Sequence, residues 1–152
     1  MSDTWVNLDT HRFLGVGLLI LIKWYNANMC TTVEKFGSDP ATLKWQIIRG
    51  DSSLIRIDFL QNDETTHYDT TGWTYLASAY DPKTDIIDPL TVVSGSGYVQ
   101  VKVDPSLSAF WGSTYRSSVA ELMFDLEVTI DDTVWTPVIG TITVLGDISG
   151  TL

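Results

Sequence analysis

Acids are the most numerous chemistry-bearing side chains in this chain, nineteen Asp and Glu against two His and one Cys, so carboxylate chemistry is the first to weigh. Glu121, Asp125 and Glu127 lie within Glu121-Leu-Met-Phe-Asp-Leu-Glu-Val-Thr-Ile130. In a strand, residues two apart share a face, so these three acids point the same way. Paired carboxylates on one face are the apparatus of glycoside hydrolysis. The plainer reading, and the expectation here, is a wet strand face backed by a core of Leu122, Phe124, Leu126 and Val128. Asp81, Asp85 and Asp88 cluster in one connection, and Asp63 and Glu64 in another. Oxygen-rich loops can hold calcium, but no hand-type ligand loop is present, and solvated loop acids are expected.

Other chemistries find less support. Zinc needs several converging imidazoles or thiolates; His11, Cys30 and His67 stand far apart without paired spacing. His67, in Thr66-His67-Tyr68, is the one imidazole of the chain's middle, and no nucleophile with an orienting acid is spaced around it. An exposed loop histidine is expected. Gly95-Ser-Gly97 lies between strand-like runs and opens no helix, so a phosphate cradle is not indicated. Arg49-Gly50-Asp51 is most economically a turn that closes a strand. Trp73, Trp111, Trp135 and Tyr115 have the rings that stack on sugars, which makes a glycan- or receptor-binding module the rival of another class, although most tryptophans of a packed β domain belong to its core. The expectation is therefore no catalytic residue, no metal, no cofactor and no enzymatic activity.

The elements that would carry these residues are strands. Leu43–Gly50 opens the pattern, and Leu54–Leu60 follows with Ile55, Ile57 and Phe59 on one face and Arg56 and Asp58 on the other. A polar connection from 61 to 72 precedes a third strand, Trp73–Tyr80. Residues 81–89, with Pro82, Pro89 and three aspartates, read as a loop over an edge. Leu90–Val93 is a short strand, Ser94-Gly-Ser-Gly97 a hairpin turn, and Tyr98–Val103 alternates cleanly. Asp104 and Pro105 then suit the cap and first position of a helical turn, with Leu107, Phe110 and Trp111 plugging one end of the domain. Glu121–Ile130 and Val134–Leu145 close the chain around an Asp131-Asp132-Thr133 turn. Pro137 and Gly140 in the last run indicate an edge strand, a bulge or a bend. About seven short strands without a strong amphipathic helix argue for an antiparallel β-sandwich.

The bulk properties agree with a packed domain. A chain of 152 residues buries about two-thirds of its unfolded surface. Hydrophobic residues make up 44%, with six Trp, six Tyr and five Phe, well beyond a disordered chain. One cysteine, Cys30, cannot form an internal disulfide, and a buried, inert thiol is expected. The formal charge is −10, which argues against binding a phosphate backbone and so against nucleic acid as a partner. Residues 1–42 carry three basic and four acidic groups, leaving six and fifteen, a charge of −9, on the remainder. That remainder presents a self-repelling acidic surface.

Residues 1–42 read as an arm ahead of a sandwich domain over 43–152. The apolar run Phe13–Ile22 is half the length a membrane-spanning helix takes, and no membrane partner is expected. Asp3 and Asp9 stand where a secretory leader would be basic, and a start at Met29 is the alternative, since the composition changes there. An ordered apolar arm buries itself on its own domain or on a neighbour; the second makes Phe13, Val16, Leu18, Leu19, Ile20, Leu21, Ile22, Trp24 and Tyr25 partner-docking residues.

From Trp45 to Ile148 the order of signals resembles the immunoglobulin-like sandwich of phage tail and baseplate proteins, notably the N-terminal domain of siphophage baseplate upper proteins. The residues that carry the resemblance are Arg49-Gly-Asp-Ser52 closing the first strand, the Asp69-Thr-Thr-Gly-Trp73 turn, Gly97-Tyr-Val-Gln-Val101, Phe124-Asp-Leu-Glu-Val128, and Gly140-Thr-Ile-Thr-Val144 followed by Gly146-Asp-Ile148. Residues 1–40 have no counterpart in that family. The resemblance implies a non-enzymatic structural protein of a tailed-phage virion, assembled in the host cytoplasm and contacting other virion proteins and copies of itself. It places the chain at the tail, baseplate or neck. A capsid decoration or cement protein is the alternative within the same sandwich.

Overall fold

The computed structural model describes residues 3–9, 17–24, 34–36, 40–61, 63, 65–114 and 119–146. Up to Phe36 it describes backbone strands: β1 (Asp3–Asp9), β2 (Gly17–Trp24) and β3 (Glu34–Phe36). From there follow β4 (Ala41–Ile48), β5 (Ser53–Leu60), β6 (Thr74–Asp81), β7 (Ile86–Pro89), β8 (Thr91–Gly95), β9 (Tyr98–Val103), the helical turn α1 (Pro105–Ser108), β10 (Val119–Ile130) and β11 (Thr133–Leu145).

Two sheets face each other. The first has the order β3-β1-β2-β5-β9-β8, the second β4-β11-β10-β6-β7. In chain order β5, β8 and β9 fall in one sheet and β6, β10 and β11 in the other, with β7 added beside β6 and β2 antiparallel to β5. That distribution is the immunoglobulin-like sandwich. The fold is the expected all-β sandwich, with two differences. Residues 86–89 form an edge strand on β6 rather than a loop; Pro89 is tolerated there because an edge needs no donor on its outer side. And β4 pairs with β11 in parallel. The first and last strands of this sandwich are separated by nearly the whole domain, so no tight turn forces them antiparallel.

Alternation builds the core. Leu43, Trp45 and Ile47 from β4, Ile55, Ile57 and Phe59 from β5, Val99, Val101 and Val103 from β9, and Leu122, Phe124, Leu126 and Val128 from β10 are all buried. Each such side chain contributes roughly 1.5–3 kcal/mol relative to exposure. Trp45 packs edge-on against Phe124 with ring centroids 5.8 Å apart and donates its indole N–H to Ser53 Oγ at 2.9 Å, which satisfies the one polar atom it takes into the core.

Turn chemistry sets the registers. Ser96-Gly97 closes β8 onto β9, with Gly95 opposite Tyr98 and Gly97 at φ 78°. Asp131 and Asp132 join β10 to β11 with φ of 45° and 65°, the two left-handed positions that a two-residue turn between twisted strands demands. Where Leu126 pairs with Val138 and Val128 with Trp135, two residues of β11, Thr136 and Pro137, oppose the single Glu127. Of the three readings open for Pro137, the structure selects a bulge, where its missing N–H breaks no ladder bond.

Candidate docking face

The outer surface of the second sheet carries the most distinctive site. On β10 the outward residues are Val119, Glu121, Met123, Asp125 and Glu127, and the inward ones are Ala120, Leu122, Phe124, Leu126 and Val128. The expected two-faced strand is therefore present. Its outer face, however, is not simply wet. Cross-strand register aligns Lys44, Thr141, Met123, Tyr80 and Ile87 in one row, and Thr42, Ile139, Asp125, Ser78 and Pro89 in the next. Met123 is 57% exposed, Ile87 67% and Ile139 40%. Scattered single hydrophobics are ordinary on a surface; apolar side chains placed side by side across neighbouring strands mark a contact surface. Glu127 stands in a third row opposite Leu76, which is also exposed.

These rows enclose a hollow of about 610 Å³, lined by Thr42, Tyr80, Ile87, Met123, Asp125, Glu127, Ile139 and Thr141 among others. Two acids therefore sit in an apolar setting. Burial, and secondarily the negative charge of Glu127, pushes the Asp125 carboxyl above its ordinary value, since both disfavour a second anion there. At the β7 side Tyr80 donates its hydroxyl to Asp85 at 3.0 Å, which holds the phenol ring at the rim of the hollow. The bulge opposite Glu127 is the local device that changes the direction of β11 beside this acid. Sequence reasoning identified the acids and their common face but not the hydrophobic residues around them, because the hollow is assembled from strands far apart in the chain.

The other candidate residues are placed as follows. Asp81, Asp85 and Asp88 do not converge: Asp81 accepts from the Lys83 amide at 2.9 Å, Asp85 takes the Tyr80 hydroxyl, and Asp88 accepts the Trp111 indole N–H at 2.8 Å. Among the described residues no group of three metal-ligating side chains comes together. Asp63 accepts bonds from the Thr66 hydroxyl and from the Thr65 and Thr66 amides, which lower its pKa to about 2. Glu64 lies outside the described residues. His67 is exposed as expected, but its Nε2 lies 2.9 Å from Asp58, an acid that also takes a bidentate contact from Arg56. His11 and Cys30 lie outside the described residues.

Arg49-Gly50-Asp51 is a strand-ending turn, as read from the sequence. Arg49 is only 9% exposed and donates Nε–H to the Trp111 carbonyl at 2.8 Å, while the Ser108 hydroxyl bridges the Gly50 amide and the Asp51 carbonyl. A guanidinium held this way is not presented to a receptor. Of the aromatic candidates, Trp111 and Trp135 are buried, and Trp73 is half-buried against Phe59 and Tyr68; Tyr115 lies outside the described residues. Phe110 departs from the expected plug, being 76% exposed while its neighbour Trp111 goes inward. Asp104 occupies the cap position of α1 without capping it through its side chain; its carboxylate instead meets Lys102 at 3.2 Å and Thr91 Oγ1 at 3.3 Å.

In the arm, Leu18, Leu19, Ile20, Leu21, Ile22 and Trp24 lie on β2, whose backbone pairs with β1 on one side and β5 on the other. Phe13, Val16 and Tyr25 lie outside the described residues. From Leu19 to Lys23 both edges of β2 are thus paired within the chain.

No protein-family description matches the sequence, and no curated protein matches it. Among solved structures 21 chains match. One is a DUF4785 family protein from Legionella pneumophila subsp. pneumophila str. Philadelphia 1, with a TM-score of 0.39 and 15% identity over 85% of this chain. The chain spans 28% of that protein's length, and a likeness of this degree carries no functional argument.

Proposed function

We propose that this chain is a non-enzymatic structural protein of a tailed-phage virion, a tail, baseplate or neck component that works by protein-protein contact. The observation that carries the contact role is the outer face of the β4-β11-β10-β6-β7 sheet, where Met123, Ile139 and Ile87 stand exposed around a hollow. Covering these side chains, which are 40–67% exposed, favours association by roughly half of the 1.5–3 kcal/mol that full burial of each would contribute, before ordering costs. The placement in a virion rests on the strand-order resemblance from Trp45 to Ile148. The arm residues Leu18 to Trp24 lie on β2, whose backbone pairs with β1 and β5.

Quantitative mass spectrometry of purified virions from the phage that encodes the chain tests this reading. The expected result is its presence at a copy number matching tail or baseplate symmetry. A number matching the capsid lattice makes it a decoration or cement protein instead. Absence from the particle overturns a virion role.

A further inference from the structure

The hollow on the second sheet combines three properties. Its two rows are apolar at Met123, Ile139, Tyr80 and Ile87; it holds two half-buried acids, Asp125 and Glu127, side by side on β10; and among the described residues no Lys or Arg forms an ion pair with either acid. Same-face neighbours on a strand are about 7 Å apart and cross-strand neighbours about 5 Å. A Lys or Arg side chain has the matching shape: an apolar stem long enough to lie along Met123 and Ile139, and a cationic head that reaches the acids.

We propose that this hollow receives a segment of a different protein in which apolar side chains flank one Lys or Arg, the stem covering Met123 and Ile139 and the cation seated between Asp125 and Glu127. This deepens the assembly reading above and rests on it for the partner's identity, not for its chemistry. The occupant is a different protein because residues 43–152 carry nearly all of the net charge of −10, so a second copy would bring acids toward acids. An acid pair in an apolar setting also rejects segments without a cation, which would leave both carboxylates desolvated and unpaired. Specificity for a basic-apolar segment follows.

The full chain, carbon-13 labelled at Met and Ile methyls, is titrated with a capped peptide of alternating Ile and Thr with a central Lys, and with the same peptide carrying a central Glu. The expected result is a shift of the Met123, Ile139 and Ile87 methyls with the Lys peptide, binding at least about tenfold tighter than the Glu peptide. In Asp125→Asn/Glu127→Gln, which preserves shape, the two peptides become equivalent. Absence of shifts with millimolar Lys peptide, shifts elsewhere, or equal binding of both peptides to the natural chain overturns the proposal. So does a shift of the same methyls with protein concentration alone, which assigns the face to a second copy. A virion that contains the chain while the peptides fail leaves the structural role standing; peptide discrimination in a chain absent from the virion leaves the groove chemistry standing.

Discussion

Asp131 and Asp132 show how a single position carries a strand register. Both stand at positive φ, which Asp tolerates better than most side chains but less well than Gly, yet Ile130 must pair with Thr133 across them. Asp132→Gly should therefore stabilise the fold by about 0.5–1 kcal/mol, the relief of about 1–2 kcal/mol of left-handed strain exceeding the entropy that glycine adds to the unfolded chain, read as a higher midpoint in urea with an unchanged slope. Asp125 behaves in the opposite sense to a paired acid. Its pKa is raised in the folded chain by burial and by Glu127, so the native state binds its proton more tightly than the unfolded chain does. Stability from this group is present below its ordinary pKa and is lost as pH rises through the folded value. Asp125→Asn should raise the melting temperature at neutral pH, with the gain vanishing in acid; a gain independent of pH would contradict the cause given. The shared face of Glu121, Asp125 and Glu127 was legible from alternation alone, whereas the apolar setting of two of them was not, since Ile139 and Ile87 come from other strands.

Among the elements, β4 depends on a residue outside itself. A Cβ at Gly140 would collide with the Leu43 carbonyl, so the parallel pairing of β4 with β11 exists because position 140 has no side chain. Gly140→Ala should cost about 3 kcal/mol and release the amide protection of Leu43 to Ile47 before that of β5 and β9, measurable by hydrogen exchange. The sequence marked Gly140 and Pro137 as irregular but could not assign their roles, because a bulge and a close approach are defined by the partner strand. Strand β2 has the converse role. It pairs with β5 from Leu19 opposite Leu60 to Trp24 opposite Ile55, so a chain beginning at Met29 leaves that edge of β5 unpaired. Because the buried core among the described residues runs from Ala41 to Val144, the shortened chain should fold, and its bare edge should make it self-associate. Light scattering of both forms checks this: a larger particle for the short form is expected, and identical monomers would show that β2 contributes no edge protection.

For the whole molecule, charge decides what the apolar face can meet. With −10 overall, like molecules repel at long range, and a basic partner is steered toward the sheet. Association with that partner should weaken between low and physiological salt. Met123→Asp, at a position 57% exposed, should leave the free energy of unfolding within about 0.5 kcal/mol of the natural chain while lowering incorporation into the proposed virion about tenfold or more. Pull-down across a salt series with the natural chain and this variant separates the two contributions, and salt-independent association would remove the electrostatic part.

The sequence by itself determined the acidic balance, a plain sum over the chain, and the period-two patterning with the turns at Gly97 and at Asp131-Asp132 and hence the all-β class, because patterning and turns depend on neighbours within a few residues. Tertiary structure alone decided that Ile86–Pro89 is a strand, that β4 runs parallel to β11, that Trp111 goes inward while Phe110 does not, and that two acids share a hollow with Met123 and Ile139. Each of these is a contact between different strands or loops, across a short connection for Ile86–Pro89 on β6 and across nearly the whole domain for β4 on β11, and strand alternation specifies which face a side chain takes without specifying which strand will lie beside it.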